Sequence, residues 1–483
     1  MNNADRYKDG KDMEAAFALS AVSPIDGRYM KRTQVLSEYF SERALIRNRA
    51  YVEVAYLIAL AKEAENGVIK IPGLSEAGQI MLEEIIETPG FAELVKAFEK
   101  ETNHDVKAVE YALCKIMAEN DFPKELIAHC HFALTSEDVN NLAYAVALHG
   151  SNQDVMLEQL DDVINSLYEH ARTHADAPMM ARTHGQPATP TTFGKEMMIF
   201  IKRLKNQTDQ LREYKIAVKL NGASGNYNGH YAAYPAVDWP QFTYRFIKES
   251  FKDRFRMNVW TNQIEDHDTY AEFFAIYSRI NVILKKLCKD FWYYISLDLI
   301  GQKKKRSEVG SSAMPHKINP IDFENAEGNL NMANALFEVF CRELPDSRMQ
   351  RHLSDSTMER NIGAAFGHCL IAYASIVKGL EKAIVNTGNM YAELDAHPEL
   401  LAEAYQLVLK KNGIDNAYEL MKGLTRGNQM TLTDMHRFLD TVDIPEWEKD
   451  ELRVLTPANY LGYASKLAGG FDVIDVNYTL KEM

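Results

Sequence analysis

Apolar residues recur along this chain at steps of three and four. In the clearest stretch, Tyr270, Phe273, Tyr277, Ile280, Leu284, Leu287, Phe291 and Tyr294 follow one another at alternating intervals. This 3.5-residue repeat lays one apolar seam along a helix. A helix over it has ~25 residues and spans ~37 Å. Leu330, Ala333, Phe337, Phe340 and Leu344 repeat the pattern. A third long helix is predicted from about Phe193 through Met197, Ile201, Leu204 and Leu211. Helices this long bury their seams best against each other, so the pattern predicts an all-α protein built on a central bundle. There is no sustained strand alternation, no tandem repeat and no G-x-G-x-x-G after a strand, so strands are at most a minor element.

Breaks in the pattern suggest three helical domains. Asp121-Phe122-Pro123 ends one block, and a second break follows the helix near Ile371 to Lys382. We read an N-terminal domain over 1–124 with a flexible tail over 1–14, a long-helix domain over 125–380, and a C-terminal domain over 381–483. The length of 483 residues also suggests about three domains.

Composition narrows the class. Hydrophobic residues make up 46% and charged residues 25%, the balance of a soluble globular protein. The formal charge of -14 argues against non-specific binding to nucleic acid or an anionic membrane. No apolar run is expected to reach the ~20 residues of a membrane span. The stretch Met1 to Glu14 lacks a signal-peptide core. Cys114, Cys130, Cys288, Cys341 and Cys369 are scattered and form no C-x-x-C pair, which fits reduced thiols in a cytoplasm.

Five connecting segments are denser in polar and special residues than a connector needs. Gly310-Ser311-Ser312-Ala313-Met314-Pro315-His316-Lys317-Ile318-Asn319-Pro320 follows the charged run Lys303 to Glu308. Asn319 can cap the next helix, with Pro320 at its first position and Asp322 and Glu324 in its first turn. Gly301 and Gly310 bracket the basic stretch, which reads as a lid. Arg182-Thr183-His184-Gly185-Gln186-Pro187-Ala188-Thr189-Pro190 reads as a stiff loop held by its prolines, with His184 as a candidate proton shuttle. The alternative for His184 is a hydrogen bond tying the loop to its neighbour.

Thr102-Asn103-His104-Asp105 opens a helix with Val106, Val109, Leu113 and Ile116 on its core face. Thr102 or Asn103 would cap it, and Asp105 can orient His104. Thr135-Ser136-Glu137-Asp138 resembles a capping box, and the same helix start can hold a substrate carboxylate. Ser347 to Arg351 and Asp355 to Arg360 bring arginines and serines together in a manner suited to phosphate. Gln263 to Asp268 abuts a helix start, where its carboxylates favour the dipole; we read no metal site there.

Together these segments resemble the fumarase/aspartase superfamily of lyases. The shared mark is a G-S-S-x-M-P-x-K-x-N-P loop, here Gly310 to Pro320. His316, before Lys317, resembles the bacterial-type adenylosuccinate lyase family, where other members carry Gly or Gln. Ser23-Pro24-Ile25-Asp26-Gly27-Arg28-Tyr29, Thr102 to Asp105, Thr135 to Asn141, and Arg182 to Pro190 running on to Lys195-Glu196 look like the same family. The resemblance runs from about Ala21 to about Leu467. Asp266 departs from it, standing where a proline is expected before His267.

The resemblance implies a homotetramer with a twenty-helix core and active sites shared between subunits. It implies elimination of fumarate from adenylosuccinate, giving AMP, and from the succinylated carboxamide ribotide SAICAR, giving AICAR. By resemblance, Ser311 is the base and His184 the acid, with His104 assisting and Lys317 stabilising charge. Thr135, Ser136, Gln263, Lys317 and Asn319 would hold the succinyl part. Arg28, Tyr29, Arg351, Ser356 and Arg360 would take the nucleotide, phosphate included, and Asn103, Asp105 and Ser312 would also bind substrate. No metal or cofactor is implied. The alternatives are argininosuccinate lyase, which lacks the residue pattern before Lys317, a non-catalytic structural relative, and a plain helical scaffold.

Overall fold

The structure is a computed structural model, and it describes residues 16–303, 314, 317–425 and 430–469. Helix accounts for 67% of the chain, and the strands form three two-stranded sheets among the described residues. The chain groups into two compact units, each assembled from separate stretches. The first takes the described parts of Met1–Leu160, Gln207–Val282 and Gly328–Tyr373. The second takes those of Asp161–Asn206, Ile283–Glu327 and Ala374–Met483.

The long helices form where the 3.5-residue seam predicts them. They span Phe193–Glu213, Asp268–Ser296 and Ile321–Glu343. All seven seam residues from Tyr270 to Phe291 are buried, and the eighth, Tyr294, is half-buried. Leu330, Ala333, Phe337, Phe340 and Leu344 are all buried.

In the first unit the seam is lined with rings. Phe274 stacks on Phe337 with centroids 5.5 Å apart, and Tyr277 meets Phe366 edge-on at 4.9 Å. Each such side chain contributes ~2–3 kcal/mol when buried. A polar pin runs through the same core. Buried Asn281 donates from Nδ2 to Asn334 Oδ1 at 2.8 Å, and the Tyr373 hydroxyl donates to Asn281 Oδ1 at 2.9 Å. An amide so placed makes a shift of helix register costly, because any slip strands it without partners.

Two further helices of the first unit carry the surroundings of the site. Glu42–Ala64 starts at Ser41, whose side chain accepts from the Ala44 amide, and it buries Leu45, Val52, Tyr56 and Leu60. Its polar residues Asn48, Arg49 and Glu53 are buried as well. Ser136–Ser151 is buried along most of its length.

In the second unit, Phe193 and Phe291 meet at 6.1 Å, and Phe291 stacks on Phe323 at 4.9 Å. Lys378 and Lys382 both reach Asp322, at 3.0 and 2.9 Å. Gly194 lies so close to the preceding helix end that a Cβ there would fall 2.5 Å from the Ala171 carbonyl oxygen. A separate cluster around Tyr405, Leu409, Met421, Met435, Leu439 and Leu452 forms the core toward the C-terminus.

One described segment, Ser354–Lys382, is apolar and long enough to pass as a membrane span, with a mean hydropathy of 1.3 over its best window. Arg360, His368 and Lys378 interrupt it, so it is not an unbroken apolar run. Its Ala365, Phe366, Cys369, Tyr373 and Ile376 are buried core residues.

Candidate active site

The first unit brings three of the predicted segments into one hydrogen-bonded chain. Asn103 ends the Phe91–Thr102 helix in the left-handed region, with φ 53°. That reversal starts the Asp105–Glu119 helix at once. Its cap is His104, whose Nδ1 accepts from the Lys107 amide at 3.2 Å, and not Thr102 or Asn103 as the sequence suggested. The His104 ring is otherwise half-exposed.

Asp105 follows, 2.8 Å from Arg49 and 2.9 Å from Arg360. Burial raises its carboxyl pKa, but Arg49, the Val106 amide and Arg360 outweigh it and hold it below the usual carboxylate range. From Arg49 the chain continues inward. Nε donates to Asn140 Oδ1 at 2.8 Å, and Asn140 Nδ2 donates to Glu137 Oε1 at 2.7 Å. Glu137 in turn lies 2.9 Å from Arg351. Asp105, Arg49, Asn140, Glu137 and Arg351 thus join the His104 corner, the Ser136–Ser151 helix and the arginine-rich segment.

Arg360 closes the outer end, donating to Glu42 Oε2 at 2.8 Å and to Asp105. Two buried N–H groups of the chain, at Arg49 Nη1 and Arg351 Nε, have no hydrogen-bond acceptor among the described residues. Unmet buried donors of this kind are costly, and an oxygen-rich ligand satisfies them.

Thr135 caps the Ser136–Ser151 helix, and its amide donates to Asp138 Oδ2 at 2.8 Å, so the capping-box reading holds. Ser136 is the first helical residue. Gln263 is half-buried in the stretch before the Asp268–Ser296 helix. Arg28 is exposed, with its guanidinium 5.8 Å over the Tyr29 ring. Ser356 lies in the first turn of the short Ser354–Glu359 helix, its amide donating to Asp355 Oδ1 at 2.7 Å. Deeper in, His267 and Glu359 are both buried and 3.5 Å apart.

The remaining predicted residues belong to the second unit or lie outside the described residues. His184 sits at the tip of an antiparallel hairpin, Pro178–Thr183 with Gln186–Thr192. Thr183 pairs with Gln186, so His184 and Gly185 are a two-residue turn, with φ 54° and 75°. Positive φ at both positions matches the strand twist, and His184 is exposed. The expectation of a proline-held loop is corrected: Pro187 pairs with Arg182 inside a strand, tolerated because a two-stranded ladder leaves one edge of each strand free. Arg182 anchors the hairpin through an ion pair with Glu393. Lys317 is exposed, and its amide donates to Met314 O at 3.0 Å. Asn319 is half-buried ahead of the Ile321–Glu343 helix, which carries Asp322 and Glu324 in its first turn. Ser311, Ser312, His316 and the lid stretch over 304–313 lie outside the described residues. No cluster of three or more His, Cys, Asp or Glu suited to a metal ion occurs among the described residues.

Comparison with known proteins decides the family. A lyase family model matches residues 27–334, and an adenylosuccinate lyase C-terminal model matches residues 347–461. An adenylosuccinate lyase of Legionella pneumophila is 47% identical over 94% of this chain and 99% of its own length. The chain belongs to the adenylosuccinate lyase family. Members from Dictyostelium discoideum and Escherichia coli are each 44% identical over 92% of this chain and 97% of their own. The fold is shared more widely. The crystal structure of a 3-carboxy-cis,cis-muconate lactonizing enzyme from Pseudomonas putida matches with a TM-score of 0.69 at 21% identity, covering 94% of this chain and 97% of that one.

Within this family member, sequence reasoning missed Arg49, Glu137 and Asn140. The signal was present: Arg49 stands among Leu45, Ala50 and Val52 on a core face, where a lone cation is rare without a buried partner.

Proposed function

We propose that this chain cleaves adenylosuccinate to AMP and fumarate, and SAICAR to AICAR and fumarate. The observation that carries the reading is the near-full-length match to adenylosuccinate lyases at 42–47% identity. The geometry supports it: an acid–arginine chain runs inward from the exposed Arg360 to Arg351, which pairs with Glu137 in the first turn of a helix whose start suits a carboxylate.

The chemistry asks three things of the site. A weakly acidic C–H beside a carboxylate must lose its proton, the developing dianion must be stabilised, and the departing purine nitrogen must gain a proton. In this reading Ser311 takes the proton from carbon, with its alkoxide stabilised by loop amides and Lys317. His184 protonates the leaving nitrogen, and the exposed hairpin tip is a suitable mount for that task. His104 assists from another subunit. Thr135, Ser136, Gln263, Lys317 and Asn319 hold the succinyl carboxylates. Arg28, Tyr29, Arg351, Ser356 and Arg360 hold the nucleotide, and Asn103, Asp105 and Ser312 also bind substrate.

Assembly into a homotetramer is part of the proposal. Val282 and Tyr293 are 53% and 59% exposed on one long helix, and Ile321 and Met332 are 55% and 54% exposed on another. Both pairs are eleven residues apart, which is three turns and so one face. These apolar stripes, on the side away from the buried seam, suit a long-helix core made with other copies. The helix ends at Glu119 and Lys382 support domain limits near 124 and 380. A cytoplasmic site of action suits the purine nucleotide substrates and five free thiols.

The test is direct. The purified full chain is incubated with adenylosuccinate, SAICAR and argininosuccinate, and fumarate is measured. Release from the first two alone supports the reading; release from argininosuccinate alone overturns it.

A further inference from the structure

Asp138 and Lys219 are both 0% exposed, and their charged atoms are 3.0 Å apart. Burying such a pair is costly in desolvation and is weak evidence for stability in itself. What distinguishes this one is where its hydrogen bonds go. Asp138 Oδ2 accepts from the Thr135 amide at 2.8 Å and the Gly222 amide at 3.1 Å, and Oδ1 accepts from the Asn221 amide at 2.9 Å. Lys219 Nζ also donates to the Gly222 carbonyl at 2.9 Å. The strand-like backbone at Lys219 is tied to the Asn141 side chain by two bonds, of 2.9 and 3.0 Å.

The turn so held reaches one segment further. Asn221 Nδ2 donates to Thr261 Oγ1 at 2.8 Å. Gly225, at φ 78°, lies so close that a Cβ would fall 2.0 Å from the Thr261 carbonyl oxygen. Gln263 is two residues beyond. One buried carboxylate, neutralised by one buried ammonium, therefore fixes backbone at the Thr135–Ser136 helix start, at the 221–225 turn and, through Asn221, at the segment before Gln263.

We propose that the Asp138–Lys219 pair is a positioning device that sets the register between Thr135–Ser136 and Gln263, the groups read above as gripping the succinyl carboxylates. This rests on that reading of the substrate. Asp138 and Lys219 touch no substrate; they act through the amides they hold. The carboxylate is suited to the task because a charged acceptor takes several N–H donors at once, which a neutral amide of the same shape cannot.

The test uses the full chain with Asp138→Asn and Lys219→Met combined, which removes both charges together and leaves no buried ion unpaired. Amide hydrogen exchange and KM for adenylosuccinate are both read. We expect the amides of Thr135, Asn221 and Gly222 to exchange roughly 10–100-fold faster, the loss of a charge-assisted hydrogen bond each. Amides over 142–148 should be unchanged. KM should rise by roughly the same factor while kcat moves little, because uniform binding is lost and neither acid nor base is touched. Unchanged protection of the three amides, or a KM that stays normal, overturns the proposal. Failure of the wild type to release fumarate would refute the substrate reading instead, and leaves the exchange pattern to be judged alone. If the double variant does not fold, Thr261→Val cuts only the last link; it should raise KM several-fold with an unchanged melting temperature, and an unchanged KM overturns the proposal.

Discussion

The His267 imidazole lies 3.5 Å from the Glu359 carboxylate, and both side chains are buried in the first unit. Burial favours the neutral imidazole, but the adjacent Glu359 carboxylate outweighs it and raises the His267 pKa to about 9. Burial pushes the Glu359 carboxyl up to about 7 against the opposing pull of His267. Both groups hold protons in the fold that the unfolded chain releases earlier.

That relationship sets a direction for stability against pH. The His267 contribution is fully present below about 6.5 and is lost as pH rises through about 9. The raised Glu359 carboxyl acts in the same sense, losing its contribution from about 4.5 up through about 7. The melting temperature should therefore fall between pH 7 and 9 by a few degrees more in the wild type than in His267→Gln/Glu359→Gln. Equal slopes for the two proteins would remove the pair as the cause.

Arg49 holds Asp105 and Asn140 at once through different nitrogens. Arg49→Met should destabilise the protein by ~3 kcal/mol, since it leaves a partly buried carboxylate and a buried amide oxygen short of donors. Arg49→Lys should recover little, because one ammonium on a flexible stem cannot span both partners. Thermal melts of the two variants decide this, and a wild-type melt for the lysine variant would count against it.

Arg360 is read as a phosphate ligand, yet here it pairs with Glu42 and Asp105. A bound phosphate would compete for the same guanidinium. Arg360→Ala should raise KM for adenylosuccinate by roughly 10–100-fold, the loss of one charge-assisted contact, with a smaller change in kcat. An unchanged KM would take Arg360 off the phosphate.

Much of this was legible in the sequence, for a physical reason. A 3.5-residue seam such as Tyr270 to Phe291 admits one structure, a long helix with a buried stripe, and the stripe is buried as predicted. The Thr135 cap was readable because side-chain and backbone chemistry coincide within four residues. The hairpin carrying His184 was not read, since Thr183-His184-Gly185-Gln186 sits among prolines that suggest a loop; the two-residue turn ending in glycine was the available signal. Arg49, Glu137 and Lys219 escaped because their roles rest on partners far away in the chain, at Asn140, Arg351 and Asp138. Periodicity marks a position as buried but does not say which buried polar residue meets which.

Sharing of sites between subunits gives its own outcome. Mixing a His184→Ala chain with a Ser311→Ala chain should restore part of the lost activity, because some sites then draw both intact residues from different subunits. Fumarate release by verified mixed oligomers measures it, and no recovery would mean that each site draws these two residues from one chain.

The assignment of acid and base is the centre of the account, and kcat with substrates of different leaving groups tests it most directly. A positioned acid or base typically supplies ~10²–10⁴-fold in rate. Ser311→Ala and His184→Ala should each lose at least roughly that factor in kcat while still binding adenylosuccinate. A substrate with a better leaving group should rescue His184→Ala more than Ser311→Ala, because a good leaving group needs no proton whereas the C–H still needs a base. Near-normal kcat for Ser311→Ala, or rescue that favours the serine variant, would contradict the account.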